Sequence, residues 1–234
     1  ARDMGYPAVR FRELIIMDPK VFYHERILDK LPQNTRVVFL NGDTSGMDQI
    51  TKILAREKDI QVLRIFSHGS PGQLFLNGEV IDSRTLAEYR RSLNTWADAL
   101  TDDADIVLYG CNIADTEKGR GFVNELARLT GADVAASTNF TGGPENEWTL
   151  EYKTGTVEAR ELSIKGYPDY LDTYTVTSNG DSGVGTLRQA IVDATDGDEI
   201  VFNLPASSET IALLTQLTIA ESLTINGDNT AGSG

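Results

Sequence analysis

The sequence predicts an α/β domain with a mostly parallel sheet flanked by helices, followed by a smaller β-rich segment. Three observations predict it. Short apolar runs alternate with amphipathic stretches over the first 170 or so residues, the pattern of strands buried on both faces between helices. Their order is a repeated β-α-β, which right-handed crossovers convert into neighbouring parallel strands. Composition then changes near residue 172: residues 173–234 carry one basic side chain, Arg188, against eight acidic ones, and Gly, Ser, Thr, Asn and Asp dominate.

The elements follow in order. "LIIM" (14–17) is a strand, "VFYHERILDKL" (21–31) a helix and "RVVFL" (36–40) a strand. "SGMDQITKILAREK" places Met47, Ile50, Ile53 and Leu54 on one helical face, and "IQVLRIF" (60–66) is the next strand. "LFLNGEVI" (74–81) carries Asn-Gly between apolar flanks, a hairpin signal. Leu86, Tyr89, Leu93, Trp96 and Leu100 repeat at helical spacing. "DIVLYG" (105–110) is a strand, and "EKGRGFVNELARLTG" a helix stopped by Gly131. "DVAAS" (133–137) is a strand, and "EWTLEYKTGTVEAR" reads as a closing hairpin. The domain boundaries expected are 1–163 for the α/β domain, 164–173 for a linker, and 174–234 for the truncated start of a β-rich region with strands such as "LTIAESLTING". The opening "ARDMGYPAVR" has neither initiator Met nor apolar leader, as expected of a processed piece.

Bulk chemistry removes several functions. A net charge of −14 leaves no basic footprint for nucleic acid, and disfavours anionic membrane surfaces. No apolar run is long enough for a membrane span. One cysteine and two histidines permit neither an internal disulfide nor an ordinary zinc site. Nucleotide binding lacks a Gly-rich fingerprint after the first strand. Any Cys/His chemistry must therefore join Cys111 to His24 or His68.

In an open α/β sheet, ligands bind beyond the carboxyl ends of the strands. "VLRIFSHGS" delivers His68 there and "VLYGCNIAD" delivers Cys111. If one crossover joins the two strands, both side chains emerge at the same edge, where an imidazole can take a thiol's proton. The amides of Gly69 and Cys111 would form an oxyanion hole, the arrangement acyl transfer needs. The plainer alternative is that Cys111 is core packing and His68 a turn residue. His24, inside a helix, reads as packing.

"FSHGS" and "LYGCN", 43 residues apart from His68 to Cys111, resemble the His-Gly and Cys blocks of caspase-type cysteine peptidases, which include caspases, gingipains and clostripain. Residues 14–160 as a whole are similar to a bacterial domain near the N-terminus of giant surface adhesins, through "IFSHGSPGQLFLNG", "LYGCNIA", "FVNELARLTGADVAAS" and "EWTLEY". "TSNGDSGVGTLRQAIVDATDGDEIVFNLP" resembles the entry to β-helical adhesin regions.

The resemblance implies a caspase-like fold at the bacterial surface or outside the cell. It gives Cys111 as nucleophile, His68 as base, the Gly69 and Cys111 amides as oxyanion hole, and a polypeptide substrate, either the chain itself or a neighbouring surface protein. The alternative is a catalytically silent, caspase-shaped assembly module. No cofactor is required. Some relatives depend on calcium, for which "TDDAD", "NGDSG" and "TDGDE" offer oxygen ligands without completing an EF-hand loop.

Asp18 is a candidate for the substrate pocket, where it would pair a basic side chain; its other reading is a turn residue before Pro19. Clostripain-like members can carry an acidic residue two before the nucleophile, and this chain has Tyr109 there. With a basic preference, Arg160 and Lys165 would be the self-cleavage points.

Overall fold

The computed structural model describes residues 12–229 apart from 22, 33–34, 42–43, 144–145, 168–169, 172, 184, 195–197, 203 and 205–209. The opening ten residues and most of the "TDGDE" loop thus lie outside the described residues.

Five parallel strands and one antiparallel strand form the central sheet: β1 (Glu13–Met17), β2 (Thr35–Phe39), β3 (Ile60–Phe66), β7 (Leu100–Tyr109), β8 (Asp133–Ala136) and β9 (Tyr152–Lys153), in the order β2-β1-β3-β7-β8-β9. Beside it, β4 (Gly69–Ser70), β5 (Gln73–Leu76) and β6 (Glu79–Ile81) make a small antiparallel sheet. Its β5–β6 turn is the expected Asn77-Gly78, both with positive φ (53° and 84°).

Alternation along the strands divides the core in two. Leu14, Ile16, Leu63, Ile65, Ile106 and Leu108 face one side, beneath α2 (Gly46–Leu54), α3 (Ser83–Glu88), α4 (Arg90–Ala99) and α5 (Glu117–Thr130). Side-chain caps set three of these helix starts: Ser45 accepts from Asp48 N, Asp82 forms a capping box with Thr85, and Thr116 accepts from Gly119 N. Gly131, at φ 75°, ends α5. The single helix expected over 82–100 is interrupted at Tyr89, whose hydroxyl donates to Glu79.

Ile15, Met17, Phe66, Val107 and Tyr109 face the other side. The short α1 (His24–Leu28) covers part of it. The rest is covered by the irregular run that supplies Trp148, Leu150, Leu162, Ile164, Tyr167 and Leu171. The hairpin expected over 147–160 is therefore not formed beyond β9. Side chains from the sheet hold this run in place of a strand ladder: Asp105 accepts the amides of Glu158 and Ala159, Arg64 donates to Arg160 O, and the Tyr109 hydroxyl accepts from Leu162 N.

A second unit has its own core of Val176, Ala190, Ile191, Ala194, Ile200 and Leu204. It comprises β10 (Thr173–Val176), α6 (Leu187–Asp193), β11 (Glu199–Phe202) and β12 (Thr224–Asn229), the strands parallel in the order β10-β11-β12. Within "LTIAESLTING" only the part from Thr224 onward is strand. Among the described residues, no helix is long and apolar enough to cross a membrane.

Within the 164–173 stretch expected as a linker, Ile164 and Tyr167 are fully buried and Leu171 nearly so, while Lys165 and Gly166 are exposed.

Candidate active site

The site begins with a register. β3 and β7 are parallel neighbours in which Phe66 pairs with Tyr109, so His68 and Cys111, each two residues beyond, leave the sheet at one edge. Ser67 N donates to Tyr109 O at 3.1 Å and carries the ladder a step further. Two glycines then let the strand ends close. A Cβ on Gly69 would lie 2.8 Å from Cys111 O and 3.0 Å from its nitrogen, and one on Gly110 would lie 3.0 Å from Ser67 O. A side chain at Gly69 would force the facing backbone to move, and one at Gly110 would be tighter than ordinary van der Waals contact.

Both reactive groups are buried, Cys111 at 0% and His68 at 1% exposure. His68 Nε2 is 3.0 Å from the Lys20 carbonyl. A carbonyl only accepts, so Nε2 carries the proton in the neutral ring and Nδ1 keeps its lone pair. Nδ1 is buried with no hydrogen-bond partner. A buried ring nitrogen without a hydrogen-bond partner is uncommon in folded proteins.

The Lys20 carbonyl is itself placed by a turn. Asp18 accepts Lys20 N at 2.9 Å through one carboxylate oxygen and Asn77 N through the other, and Val21 N donates to Asp18 O at 3.1 Å. Burial pushes the Asp18 carboxyl above the usual carboxylate range, against the opposing pull of the Asn77 and Lys20 amides and of nearby His68. Each Asp18 carboxylate oxygen thus accepts a backbone amide, which fits the turn-residue alternative, and the carboxyl builds the turn behind His68.

Cys111 Sγ accepts the amide of Thr141 at 3.0 Å and lies 3.6 Å from the Thr141 carbonyl. The Thr141 hydroxyl donates to Gly110 O at 3.2 Å, fixing that segment against the strand end. Asn112, at φ 59°, turns the chain away immediately after the cysteine.

The amides of Gly69 and Cys111 converge on a single acceptor, the carbonyl of Leu171, at 3.2 and 2.8 Å. Leu171 N donates to Thr141 O at 2.9 Å, and Tyr170 bridges Gly142 in antiparallel fashion. Residues 170–171 thus lie along 141–142 as an added strand, the way an extended peptide docks on a strand edge. The Leu171 side chain joins the apolar cluster of Met17, Phe66, Tyr109, Cys111 and Trp148. Burying it contributes about 1.5–3 kcal/mol. A Cβ on Gly143 would lie 2.0 Å from the Tyr170 ring, so glycine makes room for that aromatic.

The other sequence candidates lie elsewhere. His24 starts α1, with Nδ1 3.3 Å from Val21 O and its ring edge-on to Phe39, in the packing role expected. Arg160 is held through its carbonyl by Arg64 at the opposite end of the sheet, where a cleft of about 460 Å³ is lined by Glu13, Arg64, Asp105 and Arg160. That cleft holds neither His68 nor Cys111. Lys165 sits in an exposed turn. Among the described residues no three His, Cys, Asp or Glu side chains converge as a metal site.

Sequence reasoning missed Lys20, Thr141 and Leu171. The first two act through backbone atoms, which leave no side-chain signal. Leu171 left one: apolar residues at 164, 167 and 171 mark a stretch that packs.

Residues 14–177 match a family described as a domain of unknown function (DUF4347), and the chain belongs to that family. No curated protein and no solved structure matches the chain. The family region runs past Leu171 and includes the carbonyl that accepts the Gly69 and Cys111 amides.

Proposed function

We propose that this DUF4347 member is a cysteine endopeptidase of caspase-like type that acts on its own chain or on a surface protein. The observation that carries the reading is the convergence of the Gly69 and Cys111 amides on one peptide carbonyl beside the Cys111 thiol. Oxyanion-hole donors aimed at a carbonyl next to a nucleophile are the preorganised element of acyl transfer. The position of β1 beside β3 also agrees with a caspase-like strand order.

The chemistry follows from the parts. His68 Nδ1 takes the thiol proton, while the Lys20 carbonyl holds the ring and stabilises the imidazolium through Nε2–H. The Cys111 sulfur attacks a peptide carbonyl carbon, and the displaced electron pair settles on the oxygen held by Gly69 N and Cys111 N. As the C–N bond breaks, His68 returns the proton to the departing amine and a thioester remains. Water then attacks the thioester with His68 as base, releasing a carboxylate and restoring the thiol. No third side chain is needed, because a backbone carbonyl orients the imidazole. Secretion and the adhesin-type stalk are proposed from the sequence resemblance alone.

The test is intact-mass analysis of the full chain after incubation in reducing buffer, with and without calcium, beside Cys111→Ala and His68→Ala. The reading expects defined fragments from the parent and from neither variant. Equal fragments from parent and Cys111→Ala would overturn it.

A further inference from the structure

We infer that the chain's own cleavage site is the peptide bond on the carboxyl side of Leu171, and that the pocket selects an aliphatic residue there. The inference rests on the cysteine-peptidase reading above and adds its substrate. Three independent contacts place Leu171 as a bound substrate residue. Its carbonyl receives both oxyanion-hole amides, its amide donates to Thr141 O, and its side chain is sealed in an apolar cluster of which Cys111 is a member. The Leu171 side chain lies among apolar residues that include Met17, Phe66, Tyr109 and Trp148, and a basic side chain there would lose that packing and leave its charge desolvated.

In the reaction, Cys111 Sγ bonds to the Leu171 carbonyl carbon, and the bond to the nitrogen of residue 172 breaks. That nitrogen leaves with the proton held by His68. The resulting thioester joins Leu171 to Cys111 within one fragment until water hydrolyses it to a Leu171 carboxylate. The cut leaves one residue ahead of β10 (Thr173–Val176), so it severs the α/β domain from the β-rich unit. Until it occurs, the same segment covers the buried thiol and excludes other substrates.

The experiment maps the termini formed by the full chain, by Cys111→Ala, and by Leu171→Met, Leu171→Lys and Leu171→Gly, with folding checked by circular dichroism. The expected result is a new C-terminus at Leu171 and a new N-terminus at Asp172, absent from Cys111→Ala. Leu171→Met should retain cutting within about threefold, and Leu171→Lys should lose at least a hundredfold, on the order expected for a charge forced into an apolar pocket. Arg160→Ala and Lys165→Ala should be cut like the parent. A Cys111-dependent cut elsewhere overturns this inference and leaves the peptidase reading standing. An uncut parent, with a thiol-directed leucyl probe labelling Leu171→Gly at Cys111, makes the segment a plug and again overturns only this inference. Neither cutting nor labelling in any chain overturns both.

Discussion

Cys111 donates its backbone amide to the carbonyl of Leu171 at 2.8 Å, across 60 residues of sequence that include α5, β8 and β9. The relationship places the carbonyl of one residue beside the thiol of the other.

Replacing Cys111 separates chemistry from packing. Cys111→Ser keeps an acceptor for the Thr141 amide and is expected to change unfolding free energy by less than about 1 kcal/mol, while processing stops. Cys111→Ala strands that buried amide and costs roughly 1–3 kcal/mol. Chemical denaturation and fragment analysis on the same preparations check both statements.

Gly69→Ala should open the oxyanion pair, because the added carbon would lie 2.8 Å from both the Cys111 carbonyl and Ile113 Cγ1. A rate loss on the order of 10²- to 10³-fold is expected, with about 1–3 kcal/mol of destabilisation from the forced backbone shift. Gly78→Ala is the control: its φ of 84° makes alanine strained, but nothing lies within 4 Å. It should cost about 1 kcal/mol and leave the processing rate alone.

Much of this site was legible before any coordinates. His68 and Cys111 each follow an apolar strand, and the crossover rule places those strands side by side, as they are. The hairpin at Asn77-Gly78 and the stop at Gly131 were legible because a positive φ selects residue types. The closing hairpin over 147–160 does not form beyond β9, because Asp105, Arg64 and Tyr109 hold that run from across the sheet and such side-chain contacts leave no periodicity. Asp18 reads from sequence both as a pocket carboxylate and as a turn residue before Pro19, and its bonds to two backbone amides are those of the turn.

Asp18 acts by positioning the Lys20 carbonyl on His68. Asp18→Ala should cost roughly 1–3 kcal/mol through two stranded amides, and should also shift the pH profile of processing, because the imidazole loses its fixed acceptor. Asp82→Ala removes the cap of α3 on the other face of the sheet and costs a comparable 0.5–2 kcal/mol, roughly. Its pH profile should match the parent's, which separates positioning from a merely structural role.

Asp105 makes the pH dependence of stability testable with a defined sign. Burial holds its carboxyl above the ordinary value of 3.8, against the amides of Ala159 and Glu158. The folded state therefore binds this proton more tightly than the unfolded chain. Its contribution is fully present below 3.8 and is lost as pH rises through the raised value. Both amides meet Oδ2 while Oδ1 has no partner, so Asp105→Asn can keep both bonds without the charge. Relative to the parent, this variant should be more stable at pH 7 than at pH 3.5, as read from paired denaturation curves.

Cutting within one chain is unimolecular. The half-time of fragment formation should not change on tenfold dilution, and added parent should not cut Cys111→Ala chains. A concentration-dependent half-time would place the substrate segment in a second molecule.

The most direct test of the central claim is to trap the acyl intermediate. The full chain is incubated with hydroxylamine, which competes with water for a thioester, and the C-terminal peptide of the larger fragment is identified by mass spectrometry. Attack of Cys111 on the Leu171 carbonyl predicts a hydroxamate on Leu171 whose share rises with hydroxylamine concentration, and none from Cys111→Ala. A Leu171 terminus that stays a plain carboxylate at every hydroxylamine concentration, or that forms equally in Cys111→Ala, would contradict it.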